Sequence, residues 1–182
     1  MERLLRRMAR GRIVGLSLLL VALASLAFAW FDKARPAGSP GVIALQLAFS
    51  EEAFHGIITQ WGVEGVQAYQ RSTLYIDSWF PLAYASLLSS VIAVLTVRAG
   101  GTTGRFQLAC LALPFIAWLL DWVENTLHLI LLRDPSHLTV TLVLIASIAA
   151  AIKWGLIALS IVAILCLVLR MLEARRRGTS PH

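Results

Sequence analysis

Cysteine is scarce: the chain has two in 182 residues, Cys110 and Cys166, and neither belongs to a Cys-x-x-Cys pair. That excludes a disulfide framework and a thiol-redox motif. Both fall in apolar stretches near the same end of their helices, where a thiol is expected to be buried as a small hydrophobe. Charge is scarce too. Only 14% of residues are charged and 58% are hydrophobic, whereas soluble domains carry roughly 25% charged residues. This balance excludes an ordinary soluble domain and fits a polytopic membrane protein. Walker, Rossmann and kinase motifs are missing, as are G-x-S-x-G, H-E-x-x-H and any internal repeat. No cofactor and no metal is expected.

The formal net charge of +6 raises the question of nucleic acid, and the placement of the charges answers it. Arg3, Arg6, Arg7, Arg10 and Arg12 precede the first apolar run, Arg98 and Arg105 bracket a Gly-rich loop, and Arg170, Arg175, Arg176 and Arg177 follow the last run. These clusters lack the aromatic interleaving and the signatures of nucleic-acid binding. They read as topology signals, so the expected partners are the bilayer, with anionic lipids at the cytoplasmic face, and no nucleic acid. A homodimer or a partner membrane subunit completes the set of expected partners.

A helix needs ~20 apolar residues to cross the hydrocarbon, and four segments qualify. The expected fold is an all-α four-transmembrane-helix bundle forming a single domain. Its parts are a basic arm at 1–12, spans at 13–31, 76–97, 106–132 and 138–169, a loop at 98–105 and a tail at 170–182. Eleven of the sixteen Lys and Arg fall on the side of the arm, the short loop and the tail. The positive-inside rule therefore predicts a multi-pass cell-membrane protein with both termini cytoplasmic. Near its end the first span carries Ala27-Phe28-Ala29, a pattern shared with secretory signals, so removal of residues 1–29 as a signal peptide is an alternative. The run exceeds the 7–15 residues usual for a signal core, which favours an uncleaved anchor.

The segment 32–75 is the only long loop. Its turn-rich start, Arg35-Pro36-Ala37-Gly38-Ser39-Pro40, gives way to Ser50-Glu51-Glu52, the pattern of a capped helix start. Phe54, Ile57, Ile58 and Trp61 share one face, and Gly62 can end that helix. A second run sets Val63, Val66 and Tyr69 on one side. The expectation is an amphipathic helical cap that rests on the outer leaflet or covers the bundle mouth. An amphipathic linker is favoured over a ligand-gating lid.

Chemistry is concentrated in Asp121-Trp122-Val123-Glu124-Asn125-Thr126-Leu127-His128, inside the third apolar run. At 100° per residue Asp121, Glu124, Asn125 and His128 occupy an arc of roughly 100°. A central ionised side chain costs ~2.5–3.5 kcal/mol to insert, so this stripe must face other helices or a wet cavity. From the outer end His128 lies ~6 Å along the helix, Glu124 ~12 Å and Asp121 ~16 Å. Pro114, about two turns earlier, is positioned to kink the helix and free a carbonyl. Lys153, alone among charges in the fourth span, is the natural counter-charge, ~22 Å along its helix. It shares a face with Ala146, Ala149, Ala150 and Ser160, which lets a neighbouring backbone approach. In the second span Tyr84 is expected to meet Glu124, and Asp77 to cap the helix. One cation against two acids leaves one acid holding its proton or His128 charged.

Three readings follow. The favoured one is a small membrane protein whose polar cluster binds a lipophilic ligand, lipid or proton through Asp121, Glu124, Asn125, His128, Lys153, Tyr84 and Asp77. Trp118, Trp122 and Trp154 would offer aromatic faces to a cation. The second reading is a non-catalytic subunit or assembly factor of a larger membrane complex. The third is an acid–base or metal-dependent lipid enzyme built on Glu124-x-x-x-His128, with His55 and His137 as added ligands. Ser78, Ser86, Ser89, Ser90, Ser147 and Ser160 are expected to hydrogen-bond within or between helices, not to act as nucleophiles.

Overall fold

The computed structural model describes residues 2–99, 104–134 and 139–176. They form seven helices: α1 (Glu2–Met8), α2 (Gly11–Asp32), α3 (Val42–Gln46), α4 (Glu51–Tyr75), α5 (Phe80–Arg98), α6 (Arg105–Arg133) and α7 (Val140–Arg176). Four of them, α2, α5, α6 and α7, are long and apolar enough to cross a membrane. The expected all-α membrane bundle is thus the architecture observed.

The four spans are not equivalent. α5, α6 and α7 pack against one another, whereas α2 leans on the outside of α5 and on α4. The reason lies in side-chain size. α7 turns Ala146, Ser147, Ala149, Ala150 and Ser160 inward, all buried, so its backbone closes tightly on α6 by the small-residue packing that drives helix association in lipid. On α2 only Ser17 and Ala24 are buried. Its leucines face outward. The helix continues unbroken through Ala27-Phe28-Ala29.

The basic arm is part of the packing and does not float free. Leu5 and Met8 of α1 and Ala9 just beyond it are turned inward, while Arg6, Arg7 and Arg10 are exposed. Leu5 is buried among Ile92 and Ala93 of α5 and Cys110 and Leu111 of α6, with Ala163, Ile164 and Leu167 of α7 beside them. Cys110 is buried there as expected, but Cys166 is exposed on the lateral face of α7. Ser89 Oγ donates to the Leu111 carbonyl at 2.9 Å, beside the carbonyl that Pro114 leaves without its helical donor.

At the opposite end α3 and α4 form the cap. Ser50 Oγ accepts from the Ala53 amide at 3.1 Å, starting α4 as its sequence predicts. Phe54, Ile57, Ile58 and Trp61 join Leu45, Tyr69, Leu131, Leu132 and Val143 in one apolar cluster. The cap therefore covers the bundle end and contacts α6 and α7 directly. Gly62, at φ 65° and ψ −178°, turns α4 sharply between 51–61 and 63–75. That conformation is essentially confined to glycine. Past the turn the buried face is Gly65, Ala68, Tyr69, Ser72 and Thr73, and Val63 is 74% exposed, against expectation. At 100° per residue Val63 lies about 120° round the helix from Tyr69, so the buried stripe that holds Tyr69 leaves it outside.

The second half of α4 descends beside α6. Gln70 Nε2 donates to the Leu132 carbonyl at 3.0 Å, Tyr69 meets His128, and the Trp122 indole donates to the Ser78 carbonyl at 3.1 Å. The expected span at 76–97 thus begins only at Phe80. Residues 76–79 form a tight junction between α4 and α5, held to Trp122 through the Ser78 carbonyl.

Candidate polar site beneath the cap

The inward face of α6 delivers all four polar residues expected of it. Asp121, Glu124, Asn125 and His128 are buried, Glu124 completely, and Lys153 of α7 is 2% exposed. Lys153 Nζ lies 3.1 Å from Asp121 Oδ1 and 2.6 Å from Glu124 Oε2. The Asp121 contact is a well-directed hydrogen bond. The Glu124 contact is an ion pair through Oε2, and it leaves Glu124 Oε1 without a hydrogen bond among the described residues. One ammonium therefore serves two carboxylates, as the charge count anticipates. Lys153 also stands 5.3 Å from the Trp154 ring centroid.

Tyr84 corrects an expectation. Its hydroxyl donates to Asp121 Oδ2 at 3.0 Å and not to Glu124. Because α5 starts level with Trp122, Tyr84 sits about one turn deeper than a helix starting at Ile76 would place it. Asp77 is a second correction. Trp79 is the N-cap residue of α5 and no side chain caps that helix. The Asp77 amide instead donates to the Ser72 carbonyl at 3.0 Å, closing the end of α4. Its half-buried side chain lies along the wall of a cleft with Thr73, Trp122 and Asn125. Burial pushes the Asp77 carboxyl up to about 8, helped by the negative charge of Asp121 and opposed by Lys153.

The sequence did not single out Tyr69 as a site residue. From α4 its hydroxyl reaches His128 Nδ1 at 2.8 Å. Burial, then the charge of Glu124, holds its phenol well above the ordinary value. A protonated phenol donates, so Nδ1 accepts and a neutral imidazole carries its proton on Nε2. His128 Nδ1 is 4.0 Å from Glu124 Oε1, and Phe54 packs against the ring at 5.7 Å between centroids. The only sequence signal for Tyr69 was its place on the apolar face of the cap, where a tyrosine is indistinguishable from packing.

The result is a buried polar chain: Tyr69, His128, Glu124, Lys153, Asp121 and then Tyr84 or Asn125. The Asn125 amide nitrogen stands 3.5 Å from Asp121 Oδ1, a long contact, and its carbonyl oxygen has no partner among the described residues. No group of three or more His, Cys, Asp or Glu among the described residues is arranged to hold a metal. His55 is exposed beside Thr59, and His137 lies outside the described residues. Of the serines, Ser147 Oγ accepts from the Phe49 amide at 3.1 Å, and Ser160 Oγ donates within its own helix.

The exposed tryptophan and tyrosine side chains are Trp30, Tyr75, Trp79, Trp122 and Trp154. Trp122 and Trp154 adjoin Asp121 and Lys153 in sequence. Trp79 Nε1 donates to the Tyr75 carbonyl at 2.9 Å. The Phe28–Phe80 ring contact at 5.2 Å brings the end of α2 to the start of α5.

Fold and site together define a class, an all-α membrane-type bundle with a capped ionisable cluster at one end. No family model, curated protein or solved structure matches this chain.

Proposed function

We propose that the protein is a multi-pass cell-membrane protein, termini cytoplasmic, whose capped cluster binds the polar part of a lipophilic ligand or lipid, with proton exchange. One observation carries this reading: Lys153 is shared by two buried carboxylates, while Glu124 Oε1 and the Asn125 carbonyl oxygen have no hydrogen-bond partner among the described residues. A purely structural network has little to recommend it on magnitude. Interhelical hydrogen bonds average ~0.6 kcal/mol, and a half-satisfied buried network is worse than apolar packing. Incomplete satisfaction is what a site for an additional polar group requires. The ring of exposed tryptophan and tyrosine supports a cluster at the depth of the lipid headgroups, where such side chains collect. With the cap on the outer side, as the arginine bias predicts, this reading sets the cluster at headgroup depth where the sequence alone suggests mid-bilayer.

The acid–base enzyme reading gains less, because His128 is 1% exposed and already engaged by Tyr69. The test is native mass spectrometry of protein extracted in mild detergent, with Glu124→Gln and Asp121→Asn beside the wild type. A binding site predicts retained small molecules or lipid that the variants lose while they still insert and fold. Loss of thermal stability with unchanged bound mass, partly rescued by neutralising Lys153, would leave only a structural role.

A further inference from the structure

A cleft of about 140 Å³ opens between the second half of α4 and α6, lined by Thr73, Asp77, Ser78, Trp122, Asn125 and Thr126 among others. It stands level with the aromatic ring and ends against the side of the cluster. The volume decides what it can take. Pockets that enclose a whole drug-sized molecule run to ~300–1,000 Å³, so this one holds a headgroup while an attached chain stays in the bilayer. Its polar wall offers acceptors beside the Thr73 and Ser78 hydroxyls, which can either donate or accept. Asp77 supplies a carboxyl group, and Asn125, 6% exposed, supplies a carbonyl oxygen with no partner. Trp122 uses its indole N–H on Ser78 and leaves its exposed ring at the rim, where an aromatic face attracts a cation. The Thr126 hydroxyl donates to the Trp122 carbonyl, so toward the cleft it too has lone pairs to offer. Behind this wall two acids share a single lysine.

We infer that this cleft is the lateral binding site for the ammonium headgroup of an amine-bearing amphiphile, with Asp77 and the Asn125 carbonyl as its acceptors. The inference rests on the cluster reading above and names its ligand class and its route of access. An ammonium group donates hydrogen bonds and offsets negative charge, whereas an alcohol or sulfate headgroup does not do both. Binding a cation beside Asp77 favours its ionised form.

The test uses full-length protein in phosphatidylcholine nanodiscs, with dodecylamine, dodecanol and dodecyl sulfate as probes read by thermal midpoint and native mass spectrometry. Dodecylamine is expected to bind and raise the midpoint, and the other two are not. Asp77→Asn should weaken dodecylamine at least tenfold. Thr126→Trp, a substitution at an exposed rim position, should block the cleft even if the Asp77 variant fails to fold. Dodecylamine binding that survives Thr126→Trp overturns the assignment. If Glu124→Gln abolishes binding while Asp77→Asn and Thr126→Trp do not, the cluster reading stands and the cleft falls. If none of the three changes matters, both fall. Adding ethanolamine phospholipid to the discs separates the two sources of the headgroup: competition with dodecylamine points to a membrane lipid, and its absence to a free lipophilic amine.

Discussion

Lys153 is the residue on which the buried electrostatics turn. Replacing it with methionine strands Asp121 and Glu124 together, and breaking one side of a buried pair costs about 3–5 kcal/mol. Lys153→Met should therefore unfold readily in detergent, and adding Asp121→Asn and Glu124→Gln should recover most of the loss. Denaturation of the three-variant set checks this. Asp77 yields a pH dependence of definite sign. Its carboxyl, pushed up to about 8 in the folded protein, holds a proton that the unfolded chain loses near 4. The folded state thus binds more protons between about 4 and about 8, and stability falls as pH rises through that window. Asp77→Asn should flatten the profile there. Midpoints measured at a series of pH values decide it; an unchanged slope would mean the carboxyl is not buried in the working protein.

At the scale of elements, Gly62 makes the cap possible. An added Cβ would meet nothing within 4 Å, so the penalty of Gly62→Ala comes from the backbone alone, about 1–3 kcal/mol. That loss should appear first in the cap. Amide hydrogen exchange at 51–61 should accelerate while α6 and α7 keep their protection, and uniform acceleration would show that the cap does not open separately. The four spans and the stripe on α6 were legible from hydrophobic periodicity, because a helix that long and that polar on one face has few places to go. The junction at 76–79 was not. Ile76-Asp77-Ser78-Trp79-Phe80 reads as a helix start capped by Asp77, and the later start at Phe80 arises from tertiary contacts such as Trp122 with Ser78, which leave no local mark. The partner of Tyr84 was missed for the same reason: it depends on where α5 begins. The inward face of α1 was written in Leu5 and Met8, with Ala9 just beyond, but the surrounding arginines drew attention to charge.

For the whole molecule, the ring of aromatic side chains predicts how the bundle sits in lipid. Tryptophan fluorescence should be quenched more strongly by lipids labelled near the headgroup than by lipids labelled at the chain terminus. Stronger quenching from the terminus would return the cluster to mid-bilayer. Cys166, on the lateral face of α7, should react with a membrane-permeant maleimide while Cys110 resists until unfolding.

The seat of Leu5 among α5, α6 and α7 bears on transport as such. With α1 wedged into one mouth of the three-helix core and α3 and α4 laid over the other, the molecule has a stopper at each pole. A conduit along the bundle axis would need one stopper to lift. On the proposed binding reading, access to the buried charges is simplest sideways, in the plane of the sheet of lipids, and the search for a ligand belongs among molecules that already dissolve there.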